Sequence, residues 1–285
     1  MTATPATRFL DLAALAALRR LRFAPRRAVE GTFSGRHSSR RQGGAGEFAD
    51  FREYADGEDL RRLDWRVLAR TGRAYTRLHQ DETNVVCTLV LDASESMRFG
   101  APGSKLEYAQ YLATALSQLI GWQQDQVGLA VVADGLGEFI PTGGTAGHVA
   151  HLQGAVERVG TRPATDLAGG LGQVFQRLTR RGVLLVMSDF LVDDPEAVFA
   201  AVRLFRHRGW QAVALHLIHP DEERLPDGGA FRFEGMENDG VVDCTPAEVR
   251  AGYEVRFGAH CAEVRTLALA AGCDYRRVST ATPYL

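Results

Sequence analysis

The sequence predicts an α/β fold with a mostly parallel central sheet and helices on both of its faces. From residue 85 onward, short runs of Val, Leu and Ile alternate with longer amphipathic segments. This alternation is typical of strands and helices arranged around a parallel sheet. The composition agrees, because 285 residues with 45% hydrophobic and 24% charged side chains are those of a globular chain that forms one large domain or one domain plus a small one.

The predicted elements follow the apolar runs in chain order. We expect strands over 85–91, 127–133, 183–188, 212–218 and 274–278. Apolar residues that recur at i, i+3 and i+4 predict helices between them, over 104–122, 145–159, 167–180, 195–208 and 246–271. Residues 220–245 break this rhythm with glycine pairs and turn residues, so we expect a loop with a small hairpin there, as an insertion or edge feature.

The first 84 residues do not share the alternation and are predicted to be a small N-terminal module beside the α/β domain of residues 85–285. They begin with a short helix and include a Gly- and Arg-rich stretch, Ser34 to Gly46, that we expect to be flexible. Residues 1–73 hold 15 Arg against 9 acids, whereas the rest holds 18 basic residues against 26 acids. Such asymmetry permits contact with nucleic acid, and an arginine-rich nucleic-acid binder stays a minor alternative.

Two observations bear on location. The longest apolar runs, such as 182–188 and 212–218, are far shorter than the roughly 20 residues that cross a bilayer, so no membrane span is expected. The four cysteines show no paired spacing, which indicates a reducing cytoplasm. They are Cys87, Cys244, Cys261 and Cys273.

The strand predicted over 85–91 runs directly into Asp92, Ser94 and Ser96. Ligand sites in open α/β sheets collect at the carboxyl ends of strands. In the turn after the strand, the alternate spacing can aim both hydroxyls at one point, and an all-oxygen site suits Mg²⁺ or Mn²⁺. The alternative is that the serines cap the following helix and Asp92 makes a turn hydrogen bond.

Two more oxygen donors are expected at the same edge of the sheet. Thr165 stands at the start of a predicted helix, and Asp189 follows the strand predicted over 183–188. The alternatives are a simple helix N-cap for Thr165 and a solvated turn carboxylate for Asp189.

Taken together, the five residues resemble the metal-ion-dependent adhesion site of von Willebrand factor A-type domains, which have a Rossmann-like fold. The matching positions are Asp92, Ser94, Ser96, Thr165 and Asp189. The resemblance implies that the hydroxyls bind Mg²⁺ directly, with Mn²⁺ or Ca²⁺ as alternative ions, and that the aspartates act mostly through water. It also implies that the ion takes its last ligand, a carboxylate, from a partner protein.

The front part carries a second resemblance. Its motifs are Gly46-Glu-Phe48, Arg52-Glu-Tyr54, Gly57-Glu-Asp-Leu-Arg61 and Leu63-Asp-Trp65-Arg-Val-Leu-Ala-Arg70. They resemble the bacterial family called domain of unknown function 58, whose usual pattern has Asp where Glu58 stands. Members are typically encoded beside MoxR-type AAA+ ATPases, which implies a shared chaperone-like role. We expect Asp64, Trp65, Arg61 and Arg70 to be packing and ion-pair residues, with partner binding as the alternative.

The sequence contains no Walker A loop, no G-x-S-x-G elbow and no H-E-x-x-H motif, so no catalytic residue is predicted. The leading hypothesis is therefore an adaptor or co-chaperone that binds a protein partner through the metal ion. The alternative is a Mg²⁺-dependent phosphoester hydrolase with Asp92 as nucleophile. Against it, haloacid dehalogenase-like sites of this kind have a second Asp where Ser94 stands.

Overall fold

The computed structural model describes residues 8–10, 12–25, 34–54, 63–100, 103–163, 165–236 and 240–284. The elements in chain order are α1 (Leu12–Leu18), β1 (Ser34–Glu53), α2 (Trp65–Thr71), β2 (Tyr75–Thr83), β3 (Val86–Asp92), α3 (Lys105–Trp122), β4 (Gln126–Val132), β5 (Leu136–Gly143), α4 (Ala146–Arg158), α5 (Leu167–Arg177), β6 (Val183–Ser188), α6 (Pro195–His207), β7 (Gln211–Ile218), α7 (Pro220–Glu223), β8 (Phe231–Glu234), β9 (Val241–Cys244), α8 (Pro246–Ala270) and β10 (Asp274–Ser279). The chain divides into two units, one of residues 24–85 and a larger one of residues 1–23 and 86–285.

The larger unit contains a six-stranded sheet in the order β10-β7-β6-β3-β4-β5. All neighbouring pairs are parallel except β4 and β5, which are antiparallel. The sheet confirms the predicted α/β architecture, and each of the five predicted strands is present with its ends shifted by at most one residue. The sequence missed β5, because this edge strand is partly exposed and contains Pro141, and it therefore lacks the continuous apolar run that marks the inner strands.

Helices cover both faces of this sheet. On one face, α5, α6 and α8 contribute Leu171, Phe205 and Val264 to a single core cluster that includes Val90 and Val186 of the sheet. Strand residues of the opposite parity are buried as well, and they point to the other face, which α3 and α4 cover. This order of helix, sheet and helix layers is typical of a domain built on one mostly parallel sheet.

Helix α1 packs on α3 within the larger unit. Leu10, Ala14 and Leu18 form a cluster with Ala115 and Leu119. The sequence grouped this helix with a front module of residues 1–84, and the contacts instead place it with the α/β domain. Its short apolar run gives no information about which surface it covers.

The smaller unit pairs β1 with β2 in an antiparallel ladder. The stretch from Ser34 to Gly46, which the sequence predicts to be flexible, lies in β1. The glycines of this stretch lie at register shifts of the ladder. Irregular positions of this kind are where a strand tolerates glycine. The buried Asp64 caps α2 by accepting hydrogen bonds from the Arg66 and Val67 amides, at 2.9 and 3.2 Å.

The remaining predictions for the front motif have mixed outcomes. Trp65 is 60% exposed, so its ring does not serve as a packing residue within the smaller unit. Gly57, Glu58 and Arg61 lie outside the described residues.

The insertion near 220–245 forms the hairpin β8–β9, as predicted, preceded by the single turn α7. Four residues that begin with Pro220 are too few to produce a helical period, which is why the sequence did not predict α7. In the part of the chain that the structure describes, no helix has the length and apolar character needed to span a membrane.

Candidate metal site

Strand β3 delivers Asp92 to the carboxyl edge of the sheet, where its side chain is buried. Asp92 Oδ1 accepts a hydrogen bond from the Ser94 amide at 2.9 Å, and this bond folds the chain back so that Ser94 Oγ lies 3.0 Å from Ser96 Oγ. Ser94 starts the 3₁₀ turn Glu95–Arg98, but its side chain makes no capping hydrogen bond. The turn hydrogen bond of the alternative interpretation is therefore present, whereas Ser94 does not act as a cap.

Strand β6, which pairs with β3, delivers Asp189 beside Asp92. Ser188 links the two strand ends: its Oγ donates to Asp92 Oδ2 at 2.5 Å and accepts from the Phe190 amide at 2.8 Å. Phe190 has φ 53°, an uncommon left-handed conformation for a bulky residue and one that often marks functional turns. Asp189 Oδ1 accepts from the Leu191 amide at 3.1 Å. Asp189 is thus a buried, oriented carboxylate rather than a solvated one.

The loop that carries Thr165 lies against the same edge. The Arg162 amide donates to Ala93 O at 2.8 Å, which holds this loop beside the turn after β3. The N-cap of α5 is Asp166, whose Oδ1 accepts from the Gly169 amide at 2.8 Å. The capping alternative for Thr165 is therefore wrong, and the half-buried Thr165 precedes the cap in the loop beside Ala93.

The two aspartates have different electrostatic environments. Burial, with a further contribution from the charge of Asp189, raises the pKa of Asp92 to about 6. Burial also opposes ionisation of Asp189, but Lys105 and hydrogen bonds that include one from Ser96 more than offset it and lower the pKa of this carboxyl. The site thus holds two carboxylates that repel each other in a buried position, together with two neighbouring hydroxyls.

These donors fit a hard cation. Carboxylate and hydroxyl oxygens are ligands for Mg²⁺, and a cation between the aspartates would relieve their repulsion. Across the described residues, no group of three or more His, Cys, Asp or Glu side chains could hold a metal ion. The hydroxyls of Ser94 and Ser96 would therefore have to supply part of any coordination at this edge.

Three residues in this cluster were not among the predicted site residues. Ser188 bridges the strand ends, and the fully buried Lys105 forms ion pairs with Asp189 and Glu222. Lys105 is the single lysine of an arginine-rich chain, and that was the one signal in the sequence that could have drawn attention to it. Glu222 belongs to α7, which the sequence did not predict.

Known proteins resemble the chain over much of its length. Uncharacterised proteins of Mycobacterium bovis and Mycobacterium tuberculosis are 29% identical over 232 residues, which cover 80% of this chain and 72% of theirs. Among solved structures, BatB from Bacteroides thetaiotaomicron aligns with TM-score 0.48 and 19% identity, over 69% of this chain and 91% of its own. A von Willebrand factor type A protein from Catenulispora acidiphila aligns with TM-score 0.37 and 12% identity, over 50% and 35%. The model of the family described as Protein of unknown function DUF58 matches residues 50–263, and the chain therefore belongs to this family, as its front motifs predicted.

Proposed function

We propose that this protein is a metal-dependent interaction protein, an adaptor or co-chaperone, which binds Mg²⁺ at the carboxyl edge of its sheet and holds a partner protein through that ion. The observation that carries the proposal is the pair of hydroxyls, Ser94 Oγ and Ser96 Oγ, placed 3.0 Å apart beside two buried carboxylates. The proposed metal-site residues are Asp92, Ser94, Ser96, Thr165 and Asp189.

The contacts of the aspartates suggest how the roles divide. Asp92 has both carboxylate oxygens engaged, with the Ser94 amide and the Ser188 hydroxyl, and Asp189 is held by the Leu191 amide and by Lys105. We assign direct ion binding to the hydroxyls of Ser94 and Ser96 and indirect binding, through water, to the aspartates. An ion with few charged ligands keeps a strong attraction for an anion, and a carboxylate of the partner supplies one.

The proposed partner is a MoxR-type AAA+ ATPase that acts with this protein in the assembly or maturation of other proteins. The proposed location is the cytoplasm, because the four cysteines, all among the described residues, are free thiols. We assign no catalytic residue. A hydrolase that uses Asp92 would need an acid at position 94, where this chain has a serine.

Calorimetric titration with Mg²⁺ tests the metal site. We expect the wild type to bind one ion, and the double variant Ser94→Ala, Ser96→Ala to lose binding because both direct ligands are gone. Thr266→Ala, which removes an exposed hydroxyl of α8, is the matched control and should bind as the wild type does. Equal binding by the wild type and the double serine variant would refute the site.

An affinity pull-down from native lysate tests the partner. The wild type and the double serine variant are compared in Mg²⁺ and in EDTA, and retained proteins are identified by mass spectrometry. Retention of an AAA+ ATPase only by the wild type in Mg²⁺ supports the adaptor function. Retention that ignores both metal and serines contradicts it, and hydrolysis of an aryl phosphate that disappears in Asp92→Ala would favour the phosphoester hydrolase instead.

A further inference from the structure

The first residue of α3, Lys105, is a charged side chain in an unfavourable place. It is completely buried, and it follows the N-cap Ser104, so it lies at the positive end of the helix dipole. A buried ammonium group is costly unless anions surround it. The position therefore requires compensating carboxylates.

Two carboxylates compensate this charge. Lys105 Nζ lies 2.6 Å from Asp189 Oδ2 and forms a second ion pair with Glu222 Oε1. Burial alone would lower the pKa of Lys105, but Asp189 and Glu222 raise it above its ordinary value. The two ion pairs hold the positively charged ammonium group in direct contact with one of the proposed metal-site aspartates.

The second anion is itself held in place by the chain. Glu222 Oε2 accepts from the His219 amide at 2.8 Å, and the backbone carbonyl of Glu222 accepts from the Tyr253 hydroxyl at 2.8 Å. The His219 ring lies against Gly100 in the loop after β3. A Cβ added to Gly100, which has φ 93°, would come within 2.3 Å of this ring. Lys105 is therefore fixed between two anchored carboxylates and has no freedom to swing away from Asp189.

The formal charges of this buried cluster sum to minus two. Asp92, Asp189 and Glu222 contribute three negative charges and Lys105 contributes one positive charge, which leaves a net charge of minus two that one divalent ion neutralises. The neighbouring His216 does not change this sum. His216 is neutral at pH 7.5, since burial and His260 lower its pKa to about 4.

Resting on the metal site proposed above, we propose that Lys105 determines the charge selectivity of that site, favouring divalent over trivalent ions. Its fixed positive charge repels any ion that enters beside Asp189. The repulsion grows in proportion to the charge of the ion, so a trivalent ion is disfavoured more than a divalent one. Lys105 is a specificity-determining residue that acts by its charge beside Asp189 and does not itself bind the metal.

Calorimetric titrations with Mg²⁺ and with Tb³⁺ at pH 7.5 test this role. Lys105→Met removes the charge and keeps much of the apolar stem. We expect about tenfold tighter binding of Mg²⁺ and about thirtyfold tighter binding of Tb³⁺, because the electrostatic free energy scales with ion charge as two to three. Arg158→Met, which removes a largely exposed cation of α4, is the matched control and should change neither affinity.

Two further variants keep the test valid if Lys105→Met does not fold. Glu222→Gln removes one negative charge while its amide oxygen can still accept from the His219 amide, and it should weaken both ions, Tb³⁺ more than Mg²⁺. The double variant Lys105→Met, Glu222→Gln restores the net charge of minus two, so its affinities should return to within about threefold of the wild type. If Lys105 had only a structural role, Lys105→Met would not tighten ion binding while Glu222→Gln weakens it, and the double variant would not recover the wild-type affinities.

The outcomes separate the two proposals. If Ser94 and Ser96 are needed for Mg²⁺ binding but Lys105→Met leaves the ratio of Mg²⁺ to Tb³⁺ affinity unchanged, the selectivity role is overturned and the metal site stands. If the wild type binds Mg²⁺ and Lys105→Met binds both ions more tightly, with the larger gain for Tb³⁺, both proposals are supported. If no variant binds either ion, both proposals fail.

Discussion

Two regions of the larger unit have opposite chemistry. At the carboxyl edge of the sheet, charged and polar side chains are buried, with Asp92 and Ser94 each 1% exposed and Lys105 fully enclosed. Beside the hairpin β8–β9, apolar side chains are exposed, with Val242 60% and Val249 40% accessible along a groove of about 640 Å³. The sheet edge therefore buries charged and polar groups, whereas the groove leaves apolar groups in contact with water.

The comparison shows where sensitivity to substitution should lie. Each buried charge at the sheet edge depends on a particular partner, because unpaired charges in the interior are costly. The groove residues Val242 and Val249 lie along an open surface and keep contact with solvent. Single substitutions should therefore have large effects on stability at the edge and small effects at the groove.

The largest effect is expected from breaking the buried ion pairs. In the absence of divalent ions, Lys105→Met leaves Asp189 and Glu222 buried without a counter-charge and should lower the free energy of unfolding by about 3–5 kcal/mol. Arg232→Met breaks the ion pair with Asp243 across the hairpin, where both side chains are about two thirds exposed, and should cost less than about 1 kcal/mol. Urea denaturation in EDTA measures both, and similar losses for the two variants would remove the distinction between the regions.

A smaller, pH-dependent effect is expected from His216, which lies opposite Ser188 in the pairing of β6 and β7. Its Nδ1 shares a hydrogen bond of 2.8 Å with the Tyr275 hydroxyl. Burial and His260 lower its pKa from 6.5 to about 4, so the folded state resists a proton that the unfolded chain takes up. The resulting stability is complete above pH 6.5 and is lost as the pH falls toward 4, by about 3 kcal/mol.

Replacing this histidine isolates its contribution from those of the acidic groups that also titrate. Between pH 7 and pH 4, His216→Phe should lose about 3 kcal/mol less stability than the wild type, whereas His207→Phe, at an exposed histidine of α6, should follow the wild type. Denaturation curves at several pH values provide the measurement. Parallel pH profiles for the wild type and His216→Phe would show that His216 is not the buried neutral group described here.

Much of the sheet edge could be predicted because its signals are local. A continuous apolar run predicts β3, and the spacing of Asp92, Ser94 and Ser96 directly after it is short enough for one turn to bring the three together. Asp189 followed from the same rule applied to β6. The carboxyl ends of parallel strands lie at one edge of a sheet, so the sequence predicts that both aspartates reach this edge. The pairing of β3 with β6, which makes them neighbours, comes from the structure.

The partners that neutralise the edge could not be predicted in this way. Lys105 and Glu222 are 117 residues apart in the chain, and no period or motif connects them. Glu222 reaches the site through α7, a single turn with no sequence signature. The groove could not be predicted either. Its residues Phe233, Val242 and Val249 come from three elements, β8, β9 and α8, and their packing depends on how the insertion is oriented.

The smallest effect is expected in the groove and completes the comparison. Val242→Ala removes two methyl groups from a side chain that is 60% exposed, so the free energy of unfolding should change by no more than about 0.5 kcal/mol. The matched substitution Val186→Ala, in a strand residue that is 2% exposed, should cost about 2 kcal/mol because it opens space in the core cluster. Thermal and urea denaturation of the two variants give the contrast directly. If Val242→Ala is as destabilising as Val186→Ala, the groove is part of the packed core, and its exposed valines are then structural residues rather than a surface with little effect on folding.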